Sequence, residues 1–196
     1  LSLSSITIPY GVMLIRSASF QYCSFLMNIA VPNSVTYVES YAFNNCFALF
    51  GITLPDGVTG IGNNAFNGCR ILSNITVPEG VTAIDNYAIS NNPSLSHITL
   101  PIGVKNIGVN AFYGCSSLSS VVLPNSIETI ASNAFVGCSG VKLYDFTNHI
   151  AVPTLANTNA FSSIPDDCEI RVPAALYDEW IAAENWSEYA SYIVAV

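Results

Sequence analysis

The sequence predicts an α/β solenoid: a right-handed superhelix of 23-residue repeats with one parallel sheet and short helical turns, closed by a C-terminal helical cap. Three observations carry that reading. Six prolines, Pro9, Pro32, Pro55, Pro78, Pro101 and Pro124, recur at 23-residue steps. An Ala-Phe-x-x-Cys motif, as at Ala65, Phe66 and Cys69, keeps the same period. Apolar residues make up 51% of the 196-residue chain, yet they come in short runs broken by Pro, Gly and Asn. A fixed period of this length marks stacked coils, because one coil cannot bury its own apolar residues.

Each repeat has three parts. The first is a short strand such as Asn74-Ile75-Thr76-Val77, in which Ile and Val alternate with polar residues. Proline ends it, having no N–H for the ladder. Two residues later comes Gly11, Ser34, Gly57, Gly80, Gly103 or Ser126, which makes a Pro-x-Gly/Ser turn. The second part is Val-x-x-Ile, as in Val58 and Ile61, a return segment on the far side and a candidate for a second short extended piece.

The third part is expected as a helical turn around Ala-Phe-x-x-Cys. Ser17, Ser40, Asn63, Asn86 and Ser132 stand where a helix N-cap belongs. Asn45, Gly68, Asn91, Gly114 and Gly137 stand where a left-handed C-cap belongs. Stacking at about 4.8 Å piles Phe20, Phe43, Phe66, Phe112 and Phe135 into a column. Ile89 replaces the phenylalanine once, in the copy where Asn92 replaces the cysteine. That fourth coil is expected to be the least well packed.

The full skeleton, Leu49-x-x-Ile52-x-Leu54-Pro55-x-Gly57-Val58-x-x-Ile61-x-x-x-Ala65-Phe66-x-x-Cys69, resembles the BspA-like, or Treponema pallidum type, bacterial leucine-rich repeat. The resemblance runs over about residues 3–140 in six copies. Residues 1–140 are therefore assigned six repeats. Residues 141–196 are assigned a degenerate seventh repeat, Val141–Cys168, and a capping segment. After Pro173 the stretch Ala174–Glu184 reads helical, with Leu176, Tyr177, Trp180 and Ile181 on one apolar face. Trp186, Tyr189 and Ile193 continue the apolar pattern, and the segment resembles the one that closes such bacterial domains. Its physical purpose is to cover the last coil's open edge. The N-terminal end has no comparable cap, which leaves its cover to upstream residues or a second molecule.

Composition narrows function. Net charge is −8, and eight of the 13 acids lie after residue 140, offset by Lys142 and Arg171. A nucleic-acid partner needs a basic stripe, and none is present. No apolar run is long enough to insert in a membrane. Cys23, Cys46, Cys69, Cys115 and Cys138 share one repeat position that also accepts Asn, which reads as a packing site of free thiols rather than a bridge. Their 23-residue spacing does not suit zinc. Asp166-Asp167-Cys168-Glu169 reads as a solvated turn, with a Ca²⁺ site as the sharper alternative. His97 has no carboxylate at its repeat position to orient it, and His149 sits four residues after Asp145 in an irregular stretch. No cofactor or catalytic set is implied. Asn74-Ile75-Thr76 and Asn185-Trp186-Ser187 match the glycosylation pattern, which matters only in a eukaryotic secretory host.

The outward strand positions form one neutral, Thr-lined face. Its candidate protein-binding residues are Asn28, Thr53, Asn74, Thr76, His97, Thr99 and Ser120; a plain solvated sheet surface is the alternative. Tyr10, Tyr37, Tyr41, Tyr87 and Tyr113 are expected as exposed aromatics in turns or on the far side, an alternative contact patch in which Tyr41 and Tyr87 share one repeat position. Leu1 opens almost directly into a repeat with no signal peptide, as expected of a mature fragment. The family resemblance implies an extracellular or cell-surface adhesion module whose partner is a host extracellular matrix or surface protein. A structural spacer, or the targeting domain of a larger secreted enzyme, stays open beside it.

Overall fold

The computed structural model describes residues 3–196; Leu1, where the chain opens, lies outside the described residues. Asn74–Thr76 shows how a strand forms: Ile75 is buried while Asn74 and Thr76 face out. The same alternation recurs at Ser5–Thr7, Asn28–Ala30 and Gly51–Thr53. These strands pair in parallel at the repeat step, with Ile6 beside Ile29 and Ile52 beside Ile75. On the same side, a separate four-stranded sheet joins Ser120–Val122, Leu143–Asp145, Glu169–Val172 and Ile193–Ala195, with Thr99 bridged to Val122.

The proline turns close as expected. Val35 N donates to Pro32 O at 3.0 Å, and Val58 N donates to Pro55 O at 3.0 Å. Beyond them the structure corrects the expectation of a single sheet. The Val-x-x-Ile segments build a second parallel ladder: Leu14–Ile15 with Tyr37–Val38, and Ala83–Ile84, Asn106–Ile107, Thr129–Ile130 and Thr154–Leu155 in succession. The repeated return segment carries enough inter-coil amide pairing to qualify as strand in its own right. The apolar core fills the space between the two ladders.

The Ala-Phe-x-x-Cys turns are also corrected: they are not helical. Two positions per coil are left-handed, as at Tyr41 (φ 62°) with Asn45 (φ 59°), and Asn64 (φ 57°) with Gly68 (φ 77°). A right-handed helix cannot pass through such residues. The amides instead split between two directions. Cys46 N donates within the turn to Phe43 O at 3.1 Å, while Phe43 N donates across to Ala65 O of the next coil at 2.8 Å. The expected N-caps also reach between coils: Asn63 Oδ1 accepts from Asn86 N at 3.1 Å, and Asn86 Oδ1 accepts from Val109 N at 2.7 Å.

The phenylalanine column forms. Ring centroids of Phe20 and Phe43 lie 5.3 Å apart, Phe43 and Phe66 5.1 Å, and Phe112 and Phe135 5.2 Å, with planes within 10°. These distances exceed the roughly 3.5–4.0 Å contact of carbon atoms, so the near-parallel rings are offset, as their quadrupoles prefer. Phe161 adds another ring, 5.2 Å from Phe135. Ile89 interrupts the column but stays buried.

The chain ends in a cap. A 3₁₀ turn at Ala174–Leu176 leads into the helix Tyr177–Ala182, shorter than the expected Ala174–Glu184, and a second 3₁₀ segment spans Ser187–Tyr192. Trp180 and Trp186 are fully buried against Phe146. Trp186 Nε1 donates to Pro153 O at 2.8 Å. The final strand, Ile193–Ala195, then pairs with Glu169–Val172, so the terminus extends the sheet as well as covering it.

Candidate binding surface

Parallel pairing at a fixed step turns each outward repeat position into a row. One row runs through Ser5 and Asn28, and through Gly51 and Asn74; the neighbouring row holds Thr53 beside Thr76 and Thr99 beside Val122. Asn28, Thr53, Asn74, Thr76, His97 and Thr99 are exposed on this face. Ser120 is half-buried and pairs with Leu143, at the point where the rows leave their small polar character. His97 Nε2 lies 3.2 Å from Thr99 Oγ1. Beyond residue 140 the rows turn ionic, with Glu169 paired to Arg171 at 2.8 Å.

The face is not flat. Gly51 leaves a gap in its row, and a cleft opens there, bordered by Asn28, Ala30, Phe50, Thr53 and Asn74. Phe50 is its only aromatic wall and stands exposed to solvent. The reading of the strand face from alternation missed Phe50, because that residue precedes the strand at a corner. The signal was present in the repeat: Met27 and Phe50 occupy a position that later coils fill with Ser73, Ser96 and Ser119. Of the five tyrosines expected in the open, Tyr10, Tyr41, Tyr87 and Tyr113 are exposed. Tyr37 is half-buried instead, because its ring lies over Gly60, where any Cβ would collide with it.

The family model of the BspA type leucine-rich repeat region, in six copies, matches residues 1–92 and 36–168. The chain belongs to the BspA-type leucine-rich repeat family. Its fold is similar to the crystal structure of the T. pallidum leucine-rich repeat protein, with 28% identity and a TM-score of 0.74 over 84% of this chain and 79% of that one. A leucine-rich cell surface protein from Faecalibacterium prausnitzii matches at 22% identity and a TM-score of 0.40, over 99% of this chain and 63% of that one. A leucine-rich repeat protein from Bacteroides ovatus matches at 19% identity and 0.49, over 98% and 66%. The T. pallidum structure carries the fold comparison. A comparison with curated proteins finds no match.

The buried cysteines and His149 of this BspA-type solenoid are held in its packing. Cys46, Cys69, Cys115 and Cys138 are buried free thiols, each donating to the carbonyl of the residue 26 positions earlier. Burial pushes the Cys46 and Cys115 thiols up to about 12, so they stay protonated and unreactive. Cys23, in the first coil, is only half-buried. His149 is buried, with Nδ1 3.1 Å from Phe146 O, and burial lowers its pKa. In the acidic turn, Asp167 pairs with Lys142 and Glu169 with Arg171, so two of its carboxylates are already neutralised. Among the described residues no group of three or more His, Cys, Asp or Glu is arranged to hold a metal ion. No helix among them is long and apolar enough to cross a membrane.

Proposed function

We propose that this BspA-type chain is a non-enzymatic protein-binding module of a secreted or surface-anchored bacterial protein, acting in adhesion to host matrix or neighbouring-cell proteins. One observation carries the binding part: rows of small, uncharged, mostly exposed side chains set side by side by parallel pairing at the repeat step, with a cleft at Gly51. A rigid extended surface suits contact with a macromolecule, because little conformational entropy is lost on docking. Asn28, Thr53, Asn74, Thr76, His97, Thr99 and Ser120 are the proposed contact residues. Family membership supports the surface location and the adhesive role.

The test is a pull-down from host extracellular-matrix extract with the folded chain as bait. Specific retention of a protein, reduced by Asn74→Arg and Thr76→Arg on the strand face, supports the reading. A folded chain that retains nothing points to a spacer. Retention insensitive to these two variants moves the contact off the face.

A further inference from the structure

The exposed apolar side chains of this solenoid are not spread evenly along it. At the corner between the cysteine turn and the strand, the first three coils present Phe25, Met27, Phe47, Phe50 and Ile71 to solvent. Phe25 is 62% exposed and Phe50 64%. The equivalent positions in later coils are Ser94, Ser96, Ser116, Ser117 and Ser119. The fold therefore does not require an apolar residue at these positions, since the chain builds the same corner with serine. The repeat step places Met27 and Phe50 in one row, Phe25 and Ile71 in another on either side of Ala48, and Phe47 beside Arg70, and Phe50 borders the cleft at Gly51.

Arg70 belongs to the same corner. Its guanidinium lies over the Phe47 ring, 4.8 Å from the centroid. Among the described residues it makes no ion pair, as Arg16 makes none, whereas Lys105, Lys142 and Arg171 each have a carboxylate. A cation held on an aromatic platform keeps its charge outward and is only partly hydrated. Aromatic residues, Met and Arg are the types enriched at protein contacts, and the outward strand positions before residue 140 lack them. Most of the chain's acids lie after residue 140, at the opposite end, so a negatively charged partner is favoured at Arg70 over the cap.

We infer that the corner formed by Phe25, Met27, Phe47, Phe50, Arg70 and Ile71 is the anchoring site for a protein partner, which inserts an apolar segment beside a carboxylate that meets Arg70. This rests on the protein-binding reading above and moves its energetic centre from the strand face to the corner. The repeat itself supplies neutral variants: Phe50→Ser and Arg70→Ser install residues that other coils already carry at those positions or that suit an exposed turn.

The experiment pans a random-peptide display library on the folded chain and measures the selected peptides, made synthetically, by calorimetry. Ile150→Ser, an exposed apolar residue near the other end, controls for general adhesiveness. The expected peptides combine apolar residues with Asp or Glu. Their Kd rises at least tenfold in Phe50→Ser and in Arg70→Ser and is unchanged in Ile150→Ser. Peptides whose binding ignores both corner variants overturn the corner as anchor and leave the protein-binding reading standing. Loss in Phe50→Ser alone overturns the carboxylate requirement. Concentration-dependent self-association that Phe50→Ser abolishes makes a second copy the occupant and overturns the foreign partner. No bound peptide from a folded sample overturns the corner as anchor and leaves the protein-binding reading to the matrix pull-down.

Discussion

Asn92 Nδ2 donates to Phe66 O at 3.0 Å, taking the place that Cys69 Sγ holds against Phe43 O at 3.2 Å one coil earlier. The fourth coil thus keeps the inter-coil hydrogen bond after losing the thiol. The exchange is incomplete, because an amide also brings an acceptor, and Asn92 Oδ1 is buried without a partner. Leaving such a group unsatisfied costs about 1–3 kcal/mol. Asn92→Cys keeps a donor and removes the orphan oxygen. It should raise the denaturation midpoint by an amount equivalent to about 1 kcal/mol, whereas Asn92→Ala, which leaves Phe66 O unpaired and a cavity, should lower it.

The left-handed positions make a second prediction. Tyr41 holds φ 62° at a place where other coils use Asn64, Asn110 and Asn133. Asparagine tolerates this conformation, whereas a tyrosine there is strained by about 1–2 kcal/mol. Tyr41 is 42% exposed, so little core packing is at stake. Tyr41→Asn should stabilise the chain by about 1 kcal/mol in urea denaturation. A destabilised variant would show that the ring's contacts outweigh the backbone strain.

The pH profile follows from two kinds of buried group. The Cys46 and Cys115 thiols rise from 9.0 to about 12 on folding. Above pH 9 the unfolded chain releases these protons while the native chain holds them, so stability, fully present below pH 9, falls as pH climbs toward 12. His149 works at the other end. Burial lowers its pKa below the ordinary 6.5, so the unfolded chain takes up a proton first, and stability falls as pH drops below 6.5. Equilibrium unfolding measured from pH 5 to pH 11 should show a plateau between these limits. Replacing His149 with Phe should flatten the acid limb. A limb that persists unchanged assigns it to other groups.

The cap makes the fourth prediction. Tyr189 Oη both donates to Thr158 O and accepts from Phe161 N, so one hydroxyl ties the terminal segment to the last coil. Tyr189→Phe leaves the buried Phe161 amide without that acceptor and should cost about 1–3 kcal/mol. Trp186→Ala, which also strands Pro153 O, should cost about 3–5 kcal/mol. Thermal unfolding monitored by circular dichroism checks both, and a Tm unchanged in Trp186→Ala would contradict a structural cap.

Much of this fold was legible in the residues because a repeat averages away local ambiguity. Pro55 and Ile75 each speak for six equivalents, and the pairing of Ile52 with Ile75 follows from the period alone. What stayed hidden was set by neighbours along the stack. Asn63 and Asn86 carry the side chains of helix caps, yet their oxygens serve the next coil, a choice that only inter-coil distance decides. The second ladder was weakly marked because two-residue strands such as Ala83–Ile84 show no alternation. On the candidate surface, the outward Thr and Asn rows were readable from alternation. Phe50 was not, because a corner residue escapes that rule and stands out only when copies are compared position by position.

The claim on which the account depends is that equivalent side chains of successive coils touch. A double-mutant cycle on Phe43 and Phe66, each changed to Leu, tests it most directly, since their centroids lie 5.1 Å apart. The account predicts a coupling of about 0.5–1.5 kcal/mol for this pair and additivity for Phe43 with Phe135, which lies several coils away. Additivity for Phe43 with Phe66, in variants that remain folded, would contradict it.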